Sequence, residues 1–593
     1  MHFVLLLLAV TVADNGRRIF SSTCAACHGL DGRGGEHAPR IQLQADGDLV
    51  RIVRDGIPSG GMPSFGKLLD DEQIRAVITY LRTLPHAALP ASAIAHFTEQ
   101  PAASNWPSYN GDYSGRRYST LSQITPANVA SLRAQWVFHS SNSGNLECTP
   151  VVWNGIMLVT SANDVFELDA RTGRRVWHYE RPVTDGLIDD ASAHHNRGVG
   201  LWHSRIYLET DNAHLLSLDA ASGRLLWDVV YATGNKNYGA TSAPLVVKDK
   251  VLVGTSGGDD GVRGFVAAFD ADTGKECWRL WTIPAPGEFG SDSWPGDMYL
   301  RGGATTWMPG TYSAELNTVY WGTSNPAPDF DGGPRPGDDL YSDCLLAIDP
   351  DSGKLKWYFQ FTPHDLFDYD AAETAVLIEP NLLIEANRNG FLYMLDPKSG
   401  RFLRALPFVN KLNWAKGIDA GGRPIRTDVK PTKEGTVVCP DMSGATNWFS
   451  PSYNPAMHLF YFMAYESCQE YFREPQHFAE GREYYATGAK DLPSGHGQKI
   501  LLAFDPQSGM FAWRYPQQGD GNSSAGVMTT ASGLVFFGND LEGFEAVDGA
   551  TGKSLWQFNT GQSIHASPMS YAVDGKQYVA IAAGSDLFVF GLP

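Results

Sequence analysis

The chain has 593 residues, of which 43% are apolar, and 46 lysines and arginines against 65 aspartates and glutamates give it a net charge of -19. This acidity argues against a nucleic-acid partner, and the length allows a large buried core. With 12% aromatic residues, 62 glycines and only 19% charged residues, the composition favours a turn-rich β protein over a helical or disordered one.

Residues 1–13 contain an apolar run followed by Thr11-Val12-Ala13. This pattern predicts the end of a secretion signal, although the basic start of such signals is missing, and the run is too short to span a bilayer. Because no later segment is long and apolar enough either, we expect a periplasmic or secreted protein without a transmembrane anchor.

The next feature is the motif Cys24-Ala-Ala-Cys27-His28. A c-type haem needs two cysteines for its thioether bonds and an adjacent histidine as an axial iron ligand, and this spacing supplies all three. The chain is therefore predicted to carry electrons.

A second haem feature follows 34 residues after His28, where Gly60-Gly61 precedes Met62. Residues 69–84 then show apolar side chains at helical spacing, with Asp70 or Asp71 at the start to cap the helix. Together these features resemble a class I cytochrome c, a small helical domain, in which Met62 would be the sixth iron ligand. We assign residues 14–86 to it, and residues 87–105, rich in alanine and proline, to a linker.

From residue 106 onward one pattern recurs: an alternating apolar strand, a tight turn of the form Asp-x-x-[Ser/Thr]-Gly, and a second strand that carries tryptophan in most copies. Each copy predicts a β-hairpin too small to bury its own apolar face, which is typical of a propeller. Seven copies occupy residues 167–177, 217–227, 268–278, 347–357, 394–404, 503–513 and 546–556.

Trp136 adds an eighth position to the seven copies, as a docking tryptophan on a strand that would close the ring. The prediction for residues 106–593 is therefore an all-β, eight-bladed β-propeller whose tryptophans pack between blades. Wider spacing across residues 270–349 and 396–505 indicates inserted loops.

Three segments depart from the repeat: residues 321–330, which read WGTSNPAPDF, residues 335–342 and residues 362–373. They are rich in oxygen donors, and Asn325, Asp368 and Asp370 each have an oxygen to offer one hard cation. A carboxylate beside such a cation is also placed to act as a general base.

At these segments the chain resembles the pyrroloquinoline quinone (PQQ) alcohol dehydrogenases of the methanol and ethanol type, over roughly residues 106–583. The motifs that carry the resemblance are NPAP, RPGD-x-LYS, TPHD, WPGD, RNG and NRGV. The resemblance implies an eight-bladed propeller with PQQ and a metal ion in its central funnel. Joined to a haem, it implies a quinohaemoprotein that takes two electrons from a substrate and passes them singly to its own c-type haem, and from there to a cytochrome c or quinone acceptor.

The resemblance also implies a set of site residues. Asp259, Asn325 and Asp368 would bind the metal, with Asp370 beside them, and Asp368 would accept the proton of the substrate hydroxyl. Trp307 would stack beneath the PQQ ring, and Cys439 and Cys468 match a structural disulfide of some members. The quinone's polar groups would be held by Glu147, Arg197, Thr210, Thr241, Arg388 and Asn447.

Two departures from the family pattern concern the substrate and the metal. Asp259 replaces a longer glutamate, and Ala191-Ser192 stands where alcohol dehydrogenases of this type have two adjacent cysteines, with His194-His195 just after. PQQ sugar dehydrogenases also lack the cysteine pair, so a sugar or polyol substrate is an alternative to an alcohol. Asp370 marks lanthanide-using relatives but also occurs in sugar-type relatives, which leaves both Ca²⁺ and a lanthanide open.

A different class of function is a propeller that binds a partner without catalysis. Such a module has no use for Asp368, Asn325, Arg197 or a haem, so the sequence favours the enzyme.

Overall fold

The computed structural model describes residues 14–28, 46–57, 62–83, 103–140, 144–192, 194–233, 237–378, 381–493, 497–519 and 523–593. The signal-like segment, residues 87–102 of the predicted linker and the glycine pair before Met62 lie outside these ranges. Among the described residues, no helix combines the length and apolarity needed to cross a membrane.

The N-terminal part is helical. Residues 14–19 form a helix that continues through a π-helical turn, Phe20–Cys24, into a helix at Ala25–His28. Further helices occupy Asp46–Asp55 and Asp71–Thr83.

The helix at Asp71–Thr83 confirms the predicted element and its cap. The Gln73 amide donates to the Asp70 carboxylate at 2.8 Å, and the Gln73 side chain accepts from the Asp70 amide at 3.0 Å, a reciprocal capping box. The apolar stripe of this helix is buried: Val77 and Leu81 pack against Phe20, and Ile74 and Ile78 pack against the helix at Asp46–Asp55.

The remaining chain is nearly all β. The first twenty-two strands are β1 (Tyr118–Ser119), β2 (Arg133–His139), β3 (Val151–Trp153), β4 (Ile156–Ser161), β5 (Asp164–Asp169), β6 (Arg175–Tyr179), β7 (Gly200–Trp202), β8 (Arg205–Glu209), β9 (His214–Asp219), β10 (Leu225–Val230), β11 (Leu245–Val247), β12 (Lys250–Val253), β13 (Phe265–Asp270), β14 (Glu276–Trp281), β15 (Thr311–Ser313), β16 (Thr318–Gly322), β17 (Cys344–Ile348), β18 (Leu355–Gln360), β19 (Val376–Ile378), β20 (Leu382–Ala386), β21 (Phe391–Leu395) and β22 (Phe402–Pro407).

The strands that follow are β23 (Ala415–Ile418), β24 (Pro424–Arg426), β25 (Thr436–Val438), β26 (Ser452–Asn454), β27 (Leu459–Glu466), β28 (Gln469–Arg473), β29 (Thr487–Asp491), β30 (Gln498–Asp505), β31 (Met510–Pro516), β32 (Val527–Thr530), β33 (Leu534–Gly538), β34 (Gly543–Asp548), β35 (Ser554–Asn559), β36 (Met569–Val573), β37 (Lys576–Ala583) and β38 (Asp586–Gly591). Short helices lie at Val129–Ser131, Asp189–Ser192, Ser291–Ser293 and Met298–Leu300.

Within the described ranges these strands form seven four-stranded sheets, one five-stranded sheet in which β1 pairs parallel to β32, and two small sheets built from β23–β25, β28 and β29. The first strands of successive sheets lie side by side, with β7 beside β11, β15 beside β19, and β26 beside β32. Apolar cores fill the spaces between neighbouring sheets. This arrangement confirms the predicted propeller-like, nearly all-β architecture.

Each predicted hairpin is present, and the tryptophans of five hairpins, together with Trp136, pack on the turn of the hairpin that follows. The turn glycines have left-handed backbone angles, and the space where a side chain would begin is filled by one of these tryptophans, or at Gly509 by Arg404. The indole N–H of Trp278 also donates to the Pro350 carbonyl at 2.9 Å. These contacts join Trp136 to Gly173, Trp177 to Gly223, Trp227 to Gly274, Trp278 to Gly353, Trp357 to Gly400 and Trp513 to Gly552.

The contact between a tryptophan and a turn glycine predicts that alanine destabilises the protein more at Gly223 than at Gly575. An alanine Cβ at Gly223 (φ 68°) would lie 2.6 Å from the Trp177 ring, whereas at Gly575 (φ 76°) it would meet no atom within 4 Å. Gly575→Ala should cost about 1–2 kcal/mol from backbone strain alone, and Gly223→Ala about 1–3 kcal/mol more. Urea unfolding of both variants measures this, and equal losses would show that the docking contact is unimportant.

A second prediction concerns Glu209, a fully buried carboxyl at the end of β8 that accepts a hydrogen bond from the Tyr231 hydroxyl at 2.9 Å. Burial raises the pKa of Glu209 from 4.5 to about 8. A carboxyl whose pKa is higher in the folded state favours folding while it is protonated, so this contribution is complete below pH 4.5 and is lost as pH rises to about 8.

Glu209→Gln keeps the acceptor and removes the titration. The wild type should therefore lose stability relative to this variant by about 1.4 kcal/mol for each pH unit in that window. Urea unfolding at pH 5 and pH 8.5 compares the two proteins. Parallel curves would show that Glu209 ionises normally.

Candidate active site

One buried arginine connects the two non-repeating loops of the propeller. The Arg335 guanidinium, with no exposed surface, donates to the carbonyls of Pro328 and Asp329 at 3.0 Å each and to the Asp365 carbonyl at 2.6 Å. It also forms an ion pair with Asp339. Arg335 therefore fixes the loop after β16 against the loop after β18.

A second buried group shapes the loop that carries Asp368. The Asp365 carboxylate accepts the amides of Phe367 at 3.1 Å and Tyr369 at 2.8 Å. Asp368 lies between them with φ at 63°, a left-handed angle that is rare outside glycine. Its unusual backbone is thus held by its neighbours, as is common at functional sites.

Asp368 belongs to a group that we call the carboxylate cluster: Asp259, Asn325, Asp368, Asp370 and Arg388. Arg388 contacts Asp370 at 2.5 Å and Asp368 at 3.1 Å. The Asn325 amide N–H donates to Asp370 at 2.8 Å, and its side-chain amide donates to Asp259 at 3.0 Å. The structure thus brings together all four predicted metal-site residues with one predicted PQQ residue.

In this cluster, burial and neighbouring charges act on the pKa of Asp368 in both directions. Burial raises the pKa of the Asp368 carboxyl well above its usual range, the positive charge of Arg388 lowers it, and the negative charges of Asp259 and Asp370 raise it further. A cation held at these oxygens would favour the ionised carboxylate.

Asp329 was missed by the sequence reasoning. It is 1% exposed, and neither of its carboxylate oxygens has a hydrogen-bond partner. Burial raises the pKa of Asp329 well above its usual range, and the negative charges of Asp259 and Asp368 add to the effect. Its place directly after the NPAP motif was the available signal.

Within the described ranges, no three His, Cys, Asp or Glu side chains are arranged to coordinate a metal ion together. Arg388 and the Asn325 amide engage oxygens of Asp259, Asp368 and Asp370 instead. The donor set itself, carboxylate and amide oxygens with a buried and unpartnered carboxylate alongside, fits a hard cation such as Ca²⁺ or a lanthanide.

Most of the other predicted PQQ residues form a second group, the arginine–indole cluster: Glu147, Arg197, Thr241, Trp307 and Trp448. Arg197 forms an ion pair with Glu147 at 2.6 Å, and its guanidinium lies 5.0 Å from the Trp307 ring centre and 4.7 Å from that of Trp448. The Thr241 carbonyl accepts from Arg197 at 3.2 Å, and its hydroxyl donates to the Trp307 carbonyl at 3.4 Å. Trp448 was not predicted.

The segment 442–448 links the two clusters. Arg388 donates to the Met442 carbonyl, and Trp448 lies against Arg197. Asn447, on the same segment, donates to the Ser443 carbonyl at 2.9 Å. The hydroxyl of Thr210, the remaining predicted PQQ residue, donates to Asn212 at 2.8 Å within its own turn.

The chemistry of the two clusters fits PQQ, a flat tricarboxylate. An indole, Trp307, provides a planar surface, while Arg197 and Arg388 provide positive charge for carboxylate and carbonyl oxygens. The Trp307 side chain is partly exposed.

The site lacks a cysteine pair, as the sequence indicated. The Ala191 carbonyl accepts a hydrogen bond from the Ser256 hydroxyl. His195 lies 3.5 Å from Glu147, and burial lowers the pKa of His195.

Cys439 and Cys468 form a disulfide, and the neighbouring Pro440 carbonyl accepts a hydrogen bond from the Tyr369 hydroxyl at 2.6 Å.

Of the predicted haem residues, Cys24, Cys27 and His28 lie on the N-terminal helices and Met62 lies between helices. Cys24 and His28 are partly buried and Cys27 is exposed. Met62 is partly buried and pairs with Ile57 through two backbone hydrogen bonds of 2.9 and 3.1 Å.

Comparison with known families identifies two segments. Residues 106–406 and 505–579 match the glucose/ethanol/alcohol dehydrogenase β-propeller domain that is named after PQQ. Residues 11–81 match subunit III of cbb3-type cytochrome c oxidase.

Individual relatives match the chain over most of its length. The chain is 37% identical to quinohemoprotein alcohol dehydrogenase ADH IIB of Pseudomonas putida, over 84% of this chain and 76% of that protein. The crystal structure of the quinohemoprotein alcohol dehydrogenase from Comamonas testosteroni superposes with a TM-score of 0.80 at 31% identity, covering 85% of this chain and 84% of that one. A europium-containing methanol dehydrogenase superposes with a TM-score of 0.76 at 30% identity, covering 83% and 99%.

Proposed function

The chain belongs to the PQQ-dependent alcohol dehydrogenases, oxidoreductases that act on CH–OH donors with PQQ, haem c and a Ca²⁺ or lanthanide ion, and we propose that Asp368 is the base with which it oxidises a small alcohol. The observation that carries the proposal is the position of Asp368 at the meeting point of Arg388, Asp370 and Asp259.

We assign the binding roles as follows. Asp259, Asn325 and Asp368 hold the metal ion, and Asp370 lies beside them. Trp307 lies against the plane of PQQ. Polar groups of the quinone are held by Glu147, Arg197, Thr210, Thr241, Arg388 and Asn447.

The reaction removes a hydride from the alcohol carbon and a proton from its oxygen, leaving a carbonyl compound. Bound PQQ with its metal ion supplies the acceptor for the hydride and its electron pair. Asp368 accepts the hydroxyl proton, and Arg388, which contacts the same carboxylate at 3.1 Å, orients it. The buried walls of both clusters keep bulk water away from the reacting atoms.

Two finer points of organisation belong to the same proposal. The eight larger sheets are the eight blades of one ring, and pairing of β2 with β38 closes it, since this sheet joins a strand near residue 133 to the C-terminal strands. Residues 14–86 are a cytochrome c domain, with haem attached at Cys24 and Cys27 and ligated by His28 and Met62, residues 87–105 are a linker, and residues 106–593 are the dehydrogenase.

The protein works in the periplasm or outside the cell. Support comes from the disulfide between Cys439 and Cys468, a bond that persists in oxidising compartments. The acceptor of electrons from the haem is a cytochrome c or a quinone.

An alcohol is preferred to a sugar or polyol as the substrate. The relatives that match over most of the chain are named as alcohol dehydrogenases. A partner-binding module without catalysis would not need the ion pairs that Arg388 makes with Asp368 and Asp370.

The experiment that tests the function is dye-linked oxidation of short alcohols by the wild type and by Asp368→Asn, each supplied with PQQ and Ca²⁺ or La³⁺. The variant keeps the size of the side chain but removes the base, so its turnover should fall by a factor of about 10²–10⁴. Its haem spectrum should be unchanged, which controls for folding. Activity at the wild-type level would place the base elsewhere.

A complementary variant separates the two halves of the enzyme. His28→Ala removes the axial imidazole, so alcohol should still reduce an artificial dye that takes electrons at the propeller, while reduction of an external cytochrome c should be lost. Both rates are followed by absorbance on one preparation. Normal cytochrome c reduction by this variant would show that electrons leave by another route.

A further inference from the structure

The carboxylate of Asp329 has no assigned role and lies close enough to the proposed metal site to interact electrostatically with Asp259 and Asp368. Its side chain is 1% exposed, and both oxygens lack a hydrogen-bond partner. The carboxylates that act on it most strongly are Asp259 and Asp368, followed by Asp370. A buried carboxylate without a partner is costly unless it is paired or coordinates a metal.

The neighbouring arginine does not fill this role. Arg335 donates to the main-chain carbonyl of Asp329, and its ion pair is with Asp339. The Asp329 carboxylate therefore keeps both oxygens available.

Asp370 is in the opposite situation. One of its oxygens accepts the Asn325 amide at 2.8 Å, and the other contacts Arg388 at 2.5 Å. Asp259 meanwhile has a shorter side chain than the glutamate of the family pattern. Asp370 thus has both carboxylate oxygens engaged by protein groups, and the carboxylate of Asp259 reaches less far than that of a glutamate.

We propose that Asp329 is a further ligand of the metal ion, adding its carboxylate to the oxygens of Asp259, Asn325 and Asp368. The assignment rests on the proposed function, because it takes the metal ion to lie at this cluster. With a cation bound, the ionised carboxylates of Asp259, Asp329, Asp368 and Asp370 would set four negative charges against the single positive charge of Arg388. Such an excess favours a trivalent lanthanide over Ca²⁺.

The test is titration of the metal-stripped full-length protein, loaded with PQQ, with Eu³⁺. Asp329→Asn should raise the europium dissociation constant at least about tenfold. It should also raise the number of water molecules bound to the ion by about one, measured from luminescence decay in H₂O and D₂O. The europium excitation line, which reports the charge of the ligand set, should shift.

Asp343→Asn is the matched control. Asp343 is equally buried and also lacks hydrogen-bond partners for its carboxylate oxygens, but the carboxylates that act on it most strongly are Asp365 and Asp370. This variant should leave the europium affinity, hydration and excitation line at wild-type values. Asp329→Glu, which keeps a carboxylate, should restore most of the affinity.

The assignment is overturned if Asp329→Asn and the wild type agree in affinity, hydration and excitation line. If Asp329→Asn does not fold, Asp329→Ser removes the same charge with a smaller side chain, and wild-type europium values in that variant would equally reject the assignment. If Asp329→Asn changes europium binding as expected but the wild type oxidises no alcohol, the proposed function is rejected and Asp329 remains a metal ligand.

Discussion

The active-site geometry depends on the hydrogen bonds of one buried guanidinium. Arg335 joins the main chain at Pro328 and Asp329 to that at Asp365. A fully buried arginine is stable only when its donors are satisfied, and here main-chain carbonyls and Asp339 satisfy them. Because the bonds that join the two loops use main-chain carbonyls as acceptors, they fix both loops without engaging the carboxylate of Asp329.

The propeller frame could be predicted from the sequence because its signal is local and repeated. Each Asp-x-x-[Ser/Thr]-Gly turn specifies a hairpin, and each tryptophan needs a surface to pack on, which the next turn glycine provides, as in the contact of Trp177 with Gly223. Seven hairpin copies and the strand of Trp136 predict eight blades, and that number stays a prediction. The helix at Asp71–Thr83 was predictable for the same reason, since capping and apolar spacing lie within one short segment.

The site was only partly predictable. Asp368, Asn325 and Arg388 stand in motifs with a recognisable spacing, and the structure places them together. Trp448 carries no such local signal, and the only local signal of Asp329 is its place after the NPAP motif. Both residues are distinguished by burial, missing partners or stacking on Arg197, properties that appear only after distant segments meet. Thr210 and Asn447 were predicted to bind the quinone from their motif positions alone. In the structure their polar groups form hydrogen bonds within their own segments.

The acidic cluster also relates the function to the stability of the fold. Mutual repulsion among buried carboxylates raises the free energy of the folded state, and Arg388 offsets part of that repulsion through Asp368 and Asp370. A cation that binds only the folded protein offsets more of it, so metal binding and folding are thermodynamically linked. The surrounding frame must therefore be stiff enough to hold the carboxylates together before the ion arrives. The docked tryptophans and the Arg335 hydrogen bonds provide that stiffness at positions that do not themselves contact the substrate.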